Sequence, residues 1–445
     1  MNGVPMMIFQ LLLSLSFLVI IHECGHFFPA KWFKTRVEKF YLFFDPWFSL
    51  FKTKKGDTEY GVGWLPLGGY VKISGMVDES FDTEKLKEEP KPWEFRSKPA
   101  WQRLIIMLGG VTVNFIAGFL LFAFILGKWG EEYMPASYVK EGIYADSLGK
   151  IMGLRDGDKI LKVGNKDFIN FDERILKREI IINGTKSILV ERDGQQVNVE
   201  VPEGFSQVLS AHKNKGAALI SPRVGIIVGS FADKSPAREA GLLLNDRIIS
   251  IDGHSTRYIY DYVKLNKENI KPGDTVSLIV SRNLEEKAFR FATTSEKKMG
   301  IGIIPDIKTE RKKYGFFEAF PAGVNKGIGF LGDQIKAFGQ MFKGKVKASE
   351  SLGGFASITS LFPKTWDWED FLRITAVLSL ILGFMNLLPI PGLDGGHVIF
   401  LLFEMISGRK LSDKFVEKAT MVGFVLLIAL MIYANGLDVF RFLKK

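Results

Sequence analysis

"VIIHECGHFF", residues 19–28, closes an otherwise apolar run that begins near Met6. It puts His22, Glu23 and His26 where ionisable groups each cost roughly a few kcal/mol, in a membrane or in a dry core. On a helix, His22 and His26 stand at i and i+4 on one face, one turn apart, so both imidazoles reach a single ion. Glu23 lies beside that face and approaches a ligand of the ion without binding it. The pattern is H-E-x-x-H, in which two histidines hold zinc and the glutamate is the general base. The chain has only five histidines in 445 residues, so two ordinary core histidines account poorly for this spacing.

Outward from that stretch, the 47% of hydrophobic residues are clustered. Met6–Phe28, Leu104–Gly127, Ile374–Leu393 and Ala419–Leu437 are each long enough to cross about 30 Å of hydrocarbon as helices. The last three contain no Asp, Glu, Lys, Arg or His. The first lacks a basic leader and exceeds the apolar core of a signal peptide, so it is expected to be retained. Lys31, Lys34, Arg36 and Lys39 follow it, and Arg96, Lys98 and Arg103 precede the second. Positive residues mark the cytosolic side, which puts 29–103 in the cytosol and the N-terminus outside. Arg409, Lys410, Lys414 and Lys418 agree; the tail "RFLKK" points the other way. The formal charge of +10 then belongs to loops beside a membrane; no nucleic-acid motif accompanies it. The single cysteine, Cys24, excludes an intrachain disulfide.

The long region between the second and third stretches carries a repeat. "GLRDGDKILKVGNK" starts at Gly153 and "GLLLNDRIISIDGH" at Gly241, 88 residues on. Gly, Leu, Asp and Ile recur in register at 153/241, 154/242, 158/246 and 160/248. Each copy reads as a turn, an alternating strand and further strands, which predicts two small β-rich modules. "SPAREAGLLLNDRIISIDG" resembles the PDZ signature, the first copy less so. From Tyr314 to Pro363, Phe and Ile recur at helical spacing with Lys between them. That predicts amphipathic helices, either on the outer membrane face or packed on the β modules.

A two-histidine site needs a third ligand and an open position. "NLLPIPGLDGGH", residues 386–397, offers Asp394, the first acid after the third apolar stretch. Pro389 and Pro391 cannot continue a regular helix, and non-helical backbone at that depth is tolerated only where buried or lining a wet cavity. His397 is the rival ligand; His212 and His254 read as ordinary surface residues. Sixteen residues from Met6 put His22 about 24 Å below the outer surface, and Asp394 lies near the inner end of the third stretch. Both halves of the site therefore meet toward the cytosolic leaflet.

Taken together, H-E-x-x-H, N-x-x-P-x-P-x-L-D-G, the paired PDZ-like units and "LPLGGYVKISG" make the chain resemble the site-2 proteases. These are the M50-type intramembrane zinc metalloproteases, here of the RseP type with tandem PDZ domains. The resemblance implies a multi-pass α-helical membrane protein with four transmembrane helices. It adds a cytosolic-side membrane-associated β-element and two external PDZ-like β-rich domains. It implies Zn²⁺ held by His22, His26 and Asp394, Glu23 as catalytic base and Asn386 as a positioning or oxyanion residue. It further implies that Gly61, Val62 and Gly63, in "TEYGVGWLPLGGYVKI", receive substrate as an added strand, with Pro389 and Pro391 beside it. Where the RseP type often has Gly-Phe-Gly after the first strand, "FYLFFDP" stands here.

The expected divisions are 1–30 (first span), 31–103 (cytosolic loop with membrane-associated strands) and 104–130 (second span). Next come 131–221 and 222–307 (PDZ-like units) and 308–370 (amphipathic external segment). The rest divides into 371–397 (third span), 398–418 (cytosolic loop) and 419–445 (fourth span and tail). The implied activity is cleavage of transmembrane segments of single-pass proteins, of anti-sigma-factor type or remnant signal peptides. It runs in regulated intramembrane proteolysis in a bacterial inner membrane, with lipid around it and a site-1 type protease upstream on the same substrate. The PDZ pair would face the periplasm and filter substrates by size or bind their exposed ends. A membrane PDZ scaffold would not need an intact Glu23, and a zinc transporter or sensor would not need a base beside its ligands.

Overall fold

The computed structural model describes residues 3–66, 68–76, 89–214, 216–268, 270–271, 273–294 and 299–443. It divides into two compact units, 1–130 with 313–335 and 351–445, and 131–312 with 336–350. Leu67, within "LPLGGYVKISG", lies outside the described residues, as does the side chain of His212.

The first unit is built on α1 (Val4–Trp32) and α2 (Ala100–Trp129). It continues through α3 (Phe316–Phe342) as far as residue 335, then α4 (Trp368–Asn386), α5 (Asp394–Ser407) and α6 (Asp413–Leu443). Pro5 sits in the first turn of α1, where its missing N–H is no loss. Helices α1, α2 and α6 each have about 30 residues, hence about 45 Å of length against about 30 Å of hydrocarbon. Phe9, Phe17, Ile116, Leu120, Phe124, Val422, Val425 and Ile432 are exposed on them. Large apolar side chains on the outside of long helices with nearly uncharged central stretches belong in lipid.

Among the described residues these three are the helices long and apolar enough to cross a membrane. The third expected span differs. Ile374–Leu393 is not one helix, because α4 stops at Asn386 and the proline-containing segment 387–393 intervenes. Helix α5 follows, where the sequence suggested the end of a span and a loop. The two helices run in series along α2. Ser379 of α4 donates to the Asn114 carbonyl of α2 (2.7 Å), and Glu404 of α5 accepts from Arg103 near the start of α2 (2.5 Å). The third apolar stretch is thus the start of a broken helix, with its break beside the middle of α2. The first half of α3 also packs on α2, Gly323 against Ala123 and Gly327 against Phe119. The last part of α3 belongs to the second unit, where Lys336 donates to the Asn183 side chain (2.9 Å) and Gln340 to the Ile182 carbonyl (3.0 Å), so packing on the β modules, one of the two arrangements expected, holds for that part.

Between α1 and α2 lies a small sheet of β1 (Val37–Leu42), β2 (Phe44–Lys55), β3 (Thr58–Leu65) and β4 (Tyr70–Ile73), ordered β2-β3-β1-β4. The expectation that Gly61, Val62 and Gly63 accept a further strand is corrected here, because β3 is interior. Gly61 and Val62 pair with Tyr41 and Leu42 of β1 on one side and with Lys52 and Phe51 of β2 on the other. Gly63 pairs with Ser49, and the Phe43 and Phe44 backbone crowds it. The edges of the sheet are β2 and β4. In "FYLFFDP", Phe43 turns the chain at φ 68°, and Asp45 accepts from the Tyr70 hydroxyl (2.8 Å) and Ser49 (3.0 Å). Burial, then the Asp45 carboxylate, hold the Tyr70 hydroxyl well above its usual range, so it remains a donor.

The second unit holds two lobes with separate cores, one around Ile160, Ile188 and Val190, the other around Ile248, Leu278 and Val280. The first has β5 (Lys159–Val163), β6 (Lys166–Asp167), β7 (Ser187–Arg192) and β8 (Gln195–Glu200), ordered β8-β7-β5-β6. The second has β9 (Ile226–Phe231), β10 (Arg247–Ile251), β11 (His254–Ser255), β12 (Thr275–Arg282), β13 (Glu285–Ala292) and β14 (Ile301–Pro305). Its order is β13-β12-β10-β9-β14, with β11 on β10. The repeat therefore extends to topology, since β8-β7-β5-β6 and β13-β12-β10-β11 are paired alike. It also extends to the backbone: Gly153 and Gly157 have positive φ, and so do Gly241 and Asn245. Asn is the residue that best replaces Gly there. His254 is exposed on β11.

Candidate metal centre

His22 and His26 project from α1 toward α2 because α2 presents bare backbone there. A Cβ on Gly110 would collide with both imidazoles, and Gly25 and Gly109 allow the two helix backbones to touch. Close helix approach through small residues is the usual device where lipid removes the hydrophobic drive. From the other side the break after α4 delivers Asp394, the first residue of α5. Gly395 and Gly396 let the start of α5 fold back on the carbonyls of Leu387, Leu388 and Ile390.

The result is a triangle of donors. His22 Nε2 and His26 Nε2 are 3.3 Å apart, and Asp394 Oδ2 lies 3.4 and 3.3 Å from them. A tetrahedral ion at about 2.0–2.1 Å from each donor separates its ligands by about 3.3–3.4 Å. The edges match. Asp394 Oδ2 is buried yet accepts no hydrogen bond from any described residue. His26 Nδ1 faces the Ile106 carbonyl at 2.8 Å and donates to it, which leaves its Nε2 with a lone pair aimed into the triangle. Two imidazole nitrogens and a carboxylate oxygen, gathered this closely away from water, fit a divalent cation that prefers N and O donors.

Glu23 is buried on α1 beside the pair, and the backbone N–H of Val71 in β4 faces its carboxylate. Asn386, the last residue of α4, holds Nδ2 3.4 Å from His22 Nε2. Pro389 is exposed and Pro391 half-buried in the segment between α4 and α5. His397 stands one turn beyond Asp394 on α5 and lines a different cavity, with Arg103, Leu401 and Glu404. It is not part of the three-residue cluster.

Two features of the site escaped sequence reasoning. Asn114, fully buried on α2, has its amide Nδ2 3.0 Å from His22 Nδ1. The Ile106 carbonyl is the other. Both sit in a helix read only as a span; a lone Asn within an apolar run was the one available signal.

The sequence pattern of Peptidase family M50 matches residues 10–430. The chain is 28% identical to the Escherichia coli (strain K12) Regulator of sigma-E protease RseP, over 94% of this chain and 95% of that one. It is 27% identical to Metalloprotease MmpA of Caulobacter vibrioides, over 100% and 99%. A Thermotoga maritima protein named "Putative zinc metalloprotease" is 26% identical, over 98% and 99%.

Proposed function

The chain belongs to peptidase family M50 and is a zinc metalloprotease, and from that premise we propose that it cleaves transmembrane segments of single-pass membrane proteins within the membrane. The observation that carries this reading is the buried triangle of His22, His26 and Asp394, set among helices whose outer surfaces are apolar. In this reading those three residues hold the zinc. Zinc, when bound, supplies the Lewis acidity that activates water and polarises the scissile carbonyl. Glu23 takes the proton from the attacking water and passes it to the leaving amine, a role open to it because it adjoins the ligands without being one. Asn386 is aimed at the same point and donates its amide N–H to the oxyanion.

A peptide bond in a spanning helix is shielded by its own hydrogen bonds, so the substrate must be held extended. Edge-strand pairing does this, and β4 is the edge that suits it, since Val71 of β4 faces Glu23. The chain would cross the membrane four times, with α4, the segment 387–393 and α5 forming a broken third crossing and Pro389 and Pro391 beside the substrate. The two lobes are PDZ-like on this reading, face the exterior of a bacterial inner membrane and filter substrates by size. The substrates would be anti-sigma factors or remnant signal peptides first trimmed by a site-1 type protease, with membrane lipid around the helices.

The test is Glu23→Gln in purified protein. It should keep about one zinc per chain and the wild-type fold, yet lose cleavage of a model spanning segment by orders of magnitude. Undiminished cleavage would remove Glu23 from the chemistry. Deleting residues 131–307 tests the filter: a substrate with a folded external domain should then be cut as readily as one with a short tail. Slower cleavage of both would indicate recruitment instead.

A further inference from the structure

We infer that Asn114 is a positioning residue for zinc, whose amide Oδ1 holds His22 in the tautomer that leaves Nε2 free, as the Ile106 carbonyl does for His26. The inference rests on the His22–His26–Asp394 reading of the site and adds a residue from α2 to it. His26 has its partner, the Ile106 carbonyl, which accepts from Nδ1. Among the described residues no carbonyl stands in that place for His22. What faces its Nδ1 is the amide of Asn114, at 3.0 Å. The Asn114 backbone carbonyl separately accepts from Ser379 on α4, a bond that does not involve the side-chain amide.

The amide is fully buried, and its Oδ1 has no partner among the described residues. A buried amide oxygen without a donor is an unfavourable arrangement that a new donor relieves. With Nδ2 facing Nδ1, His22 accepts at Nδ1 and carries its proton on Nε2, toward the Asp394 carboxylate. An imidazole that offers Nε2 to a cation carries the proton on Nδ1 instead. A half-turn of the same amide then presents Oδ1 to that N–H. One asparagine thus serves both tautomers, and the tautomer that leaves Nε2 free is the one in which Oδ1 gains a donor. An outer partner that fixes a ligating imidazole in this way typically contributes 10–100-fold in metal affinity.

The measurement is zinc affinity of the full-length detergent-solubilised chain by competition with a chelator, with helix content followed by circular dichroism. Asn114→Leu, close in volume but without an acceptor, should bind zinc about 10–100-fold more weakly. Asn114→Asp keeps the acceptor and should hold zinc within about threefold of wild type or tighter. Ser379→Ala removes a neighbouring buried hydrogen bond without touching His22 and should leave affinity unchanged. Wild-type affinity in Asn114→Leu, or an equal fall in Asn114→Asp or Ser379→Ala, overturns the inference. If Asn114→Leu does not fold, Asn114→Asp decides: a tenfold loss there refutes the acceptor role. Asp394→Ala in parallel separates the two levels, because zinc retained there removes the site itself. Zinc lost in Asp394→Ala but kept in Asn114→Leu overturns only the present inference.

Discussion

Asp246 in the second lobe has both carboxylate oxygens engaged. Oδ1 accepts from Arg282 Nε (2.7 Å), and Oδ2 from Arg282 Nη2 (2.6 Å) and the Leu243 amide (2.8 Å). The first lobe repeats the fork with Asp158, Arg192 and the Arg155 amide. In each lobe the arginine also caps a turn carbonyl, Gly153 or Gly241. Asp394 in the helical unit is the opposite case. Its buried Oδ2 accepts no hydrogen bond from a described residue and instead faces two imidazole nitrogens. Two aspartates with buried carboxylate oxygens thus do different work. Where both oxygens have donors, the carboxylate is part of the fold; where a buried oxygen faces only other ligand atoms, the site is built for something that is added.

The largest expected effect would break this comparison if it failed. Asp394→Ala should lose most of the bound zinc and, with it, cleavage by orders of magnitude, while the protection of β5–β8 and β10–β13 amides in hydrogen exchange stays as in wild type. Full zinc content in Asp394→Ala would place Asp394 in the same structural class as Asp246. Next in size is Asn386→Ala, which should keep zinc and reduce cleavage by roughly 10²–10³ as for a lost oxyanion donor. Activity equal to wild type would detach Asn386 from the reaction.

Asp246→Ala should show the converse pattern. Removing one partner of a buried, hydrogen-bonded ion pair costs about 3–5 kcal/mol when both are sealed from water. Arg282 is 21% exposed, so a loss of about 2–3 kcal/mol is expected, read as faster exchange of β10 and β12 amides with zinc content unchanged. Acid sharpens the same point. Burial opposes the charge on Asp246, but the Arg282 fork and the Leu243 amide outweigh it and hold the carboxyl below its ordinary value. A folded-state pKa below the unfolded one gives stability that is complete above about pH 4 and is lost as pH falls through the folded value. Protection of β10 and β12 should therefore fall on acidification in wild type and change far less in Asp246→Ala.

How much of this was legible in the sequence follows from range. H-E-x-x-H lies within one helical turn, and the repeat lies within each hairpin, so His22, Glu23, His26, Gly153 and Gly241 could be read directly. Asp394 was readable because an acid after twenty uncharged residues needs a reason. Asn114, Ile106, Gly109 and Gly110 were not, because a span has no local pattern that says which face meets a neighbour. Arg192 and Arg282 were missed for a related reason: each lies more than thirty residues from its aspartate. The interior place of β3 is set by a parallel β1–β3 pairing that no hairpin signal announces. The broken third stretch was half visible, in Pro389 and Pro391, but its continuation as α5 depends on packing along α2.

The smallest effect tests how far the two lobes are the same. Their hairpins β7–β8 and β12–β13 turn through two residues at positive φ, Asp193-Gly194 in the first lobe and Asn283-Leu284 in the second. Such turns match the twist of the strands and favour Asn-Gly or Asp-Gly. Leu284 sits at φ 71° and is 98% exposed, so no burial offsets its strain. The left-handed conformation costs an L-residue about 1–2 kcal/mol, against about 0.5–1 kcal/mol of extra backbone entropy lost by glycine on folding. Leu284→Gly should therefore stabilise the second lobe by about 0.5–1 kcal/mol, read as slower exchange of β12 and β13 amides, with β7 and β8 unchanged. If Leu284→Gly instead speeds exchange, the leucine side chain is held by a contact in the membrane-bound protein, and the second hairpin tip has a role the first does not share.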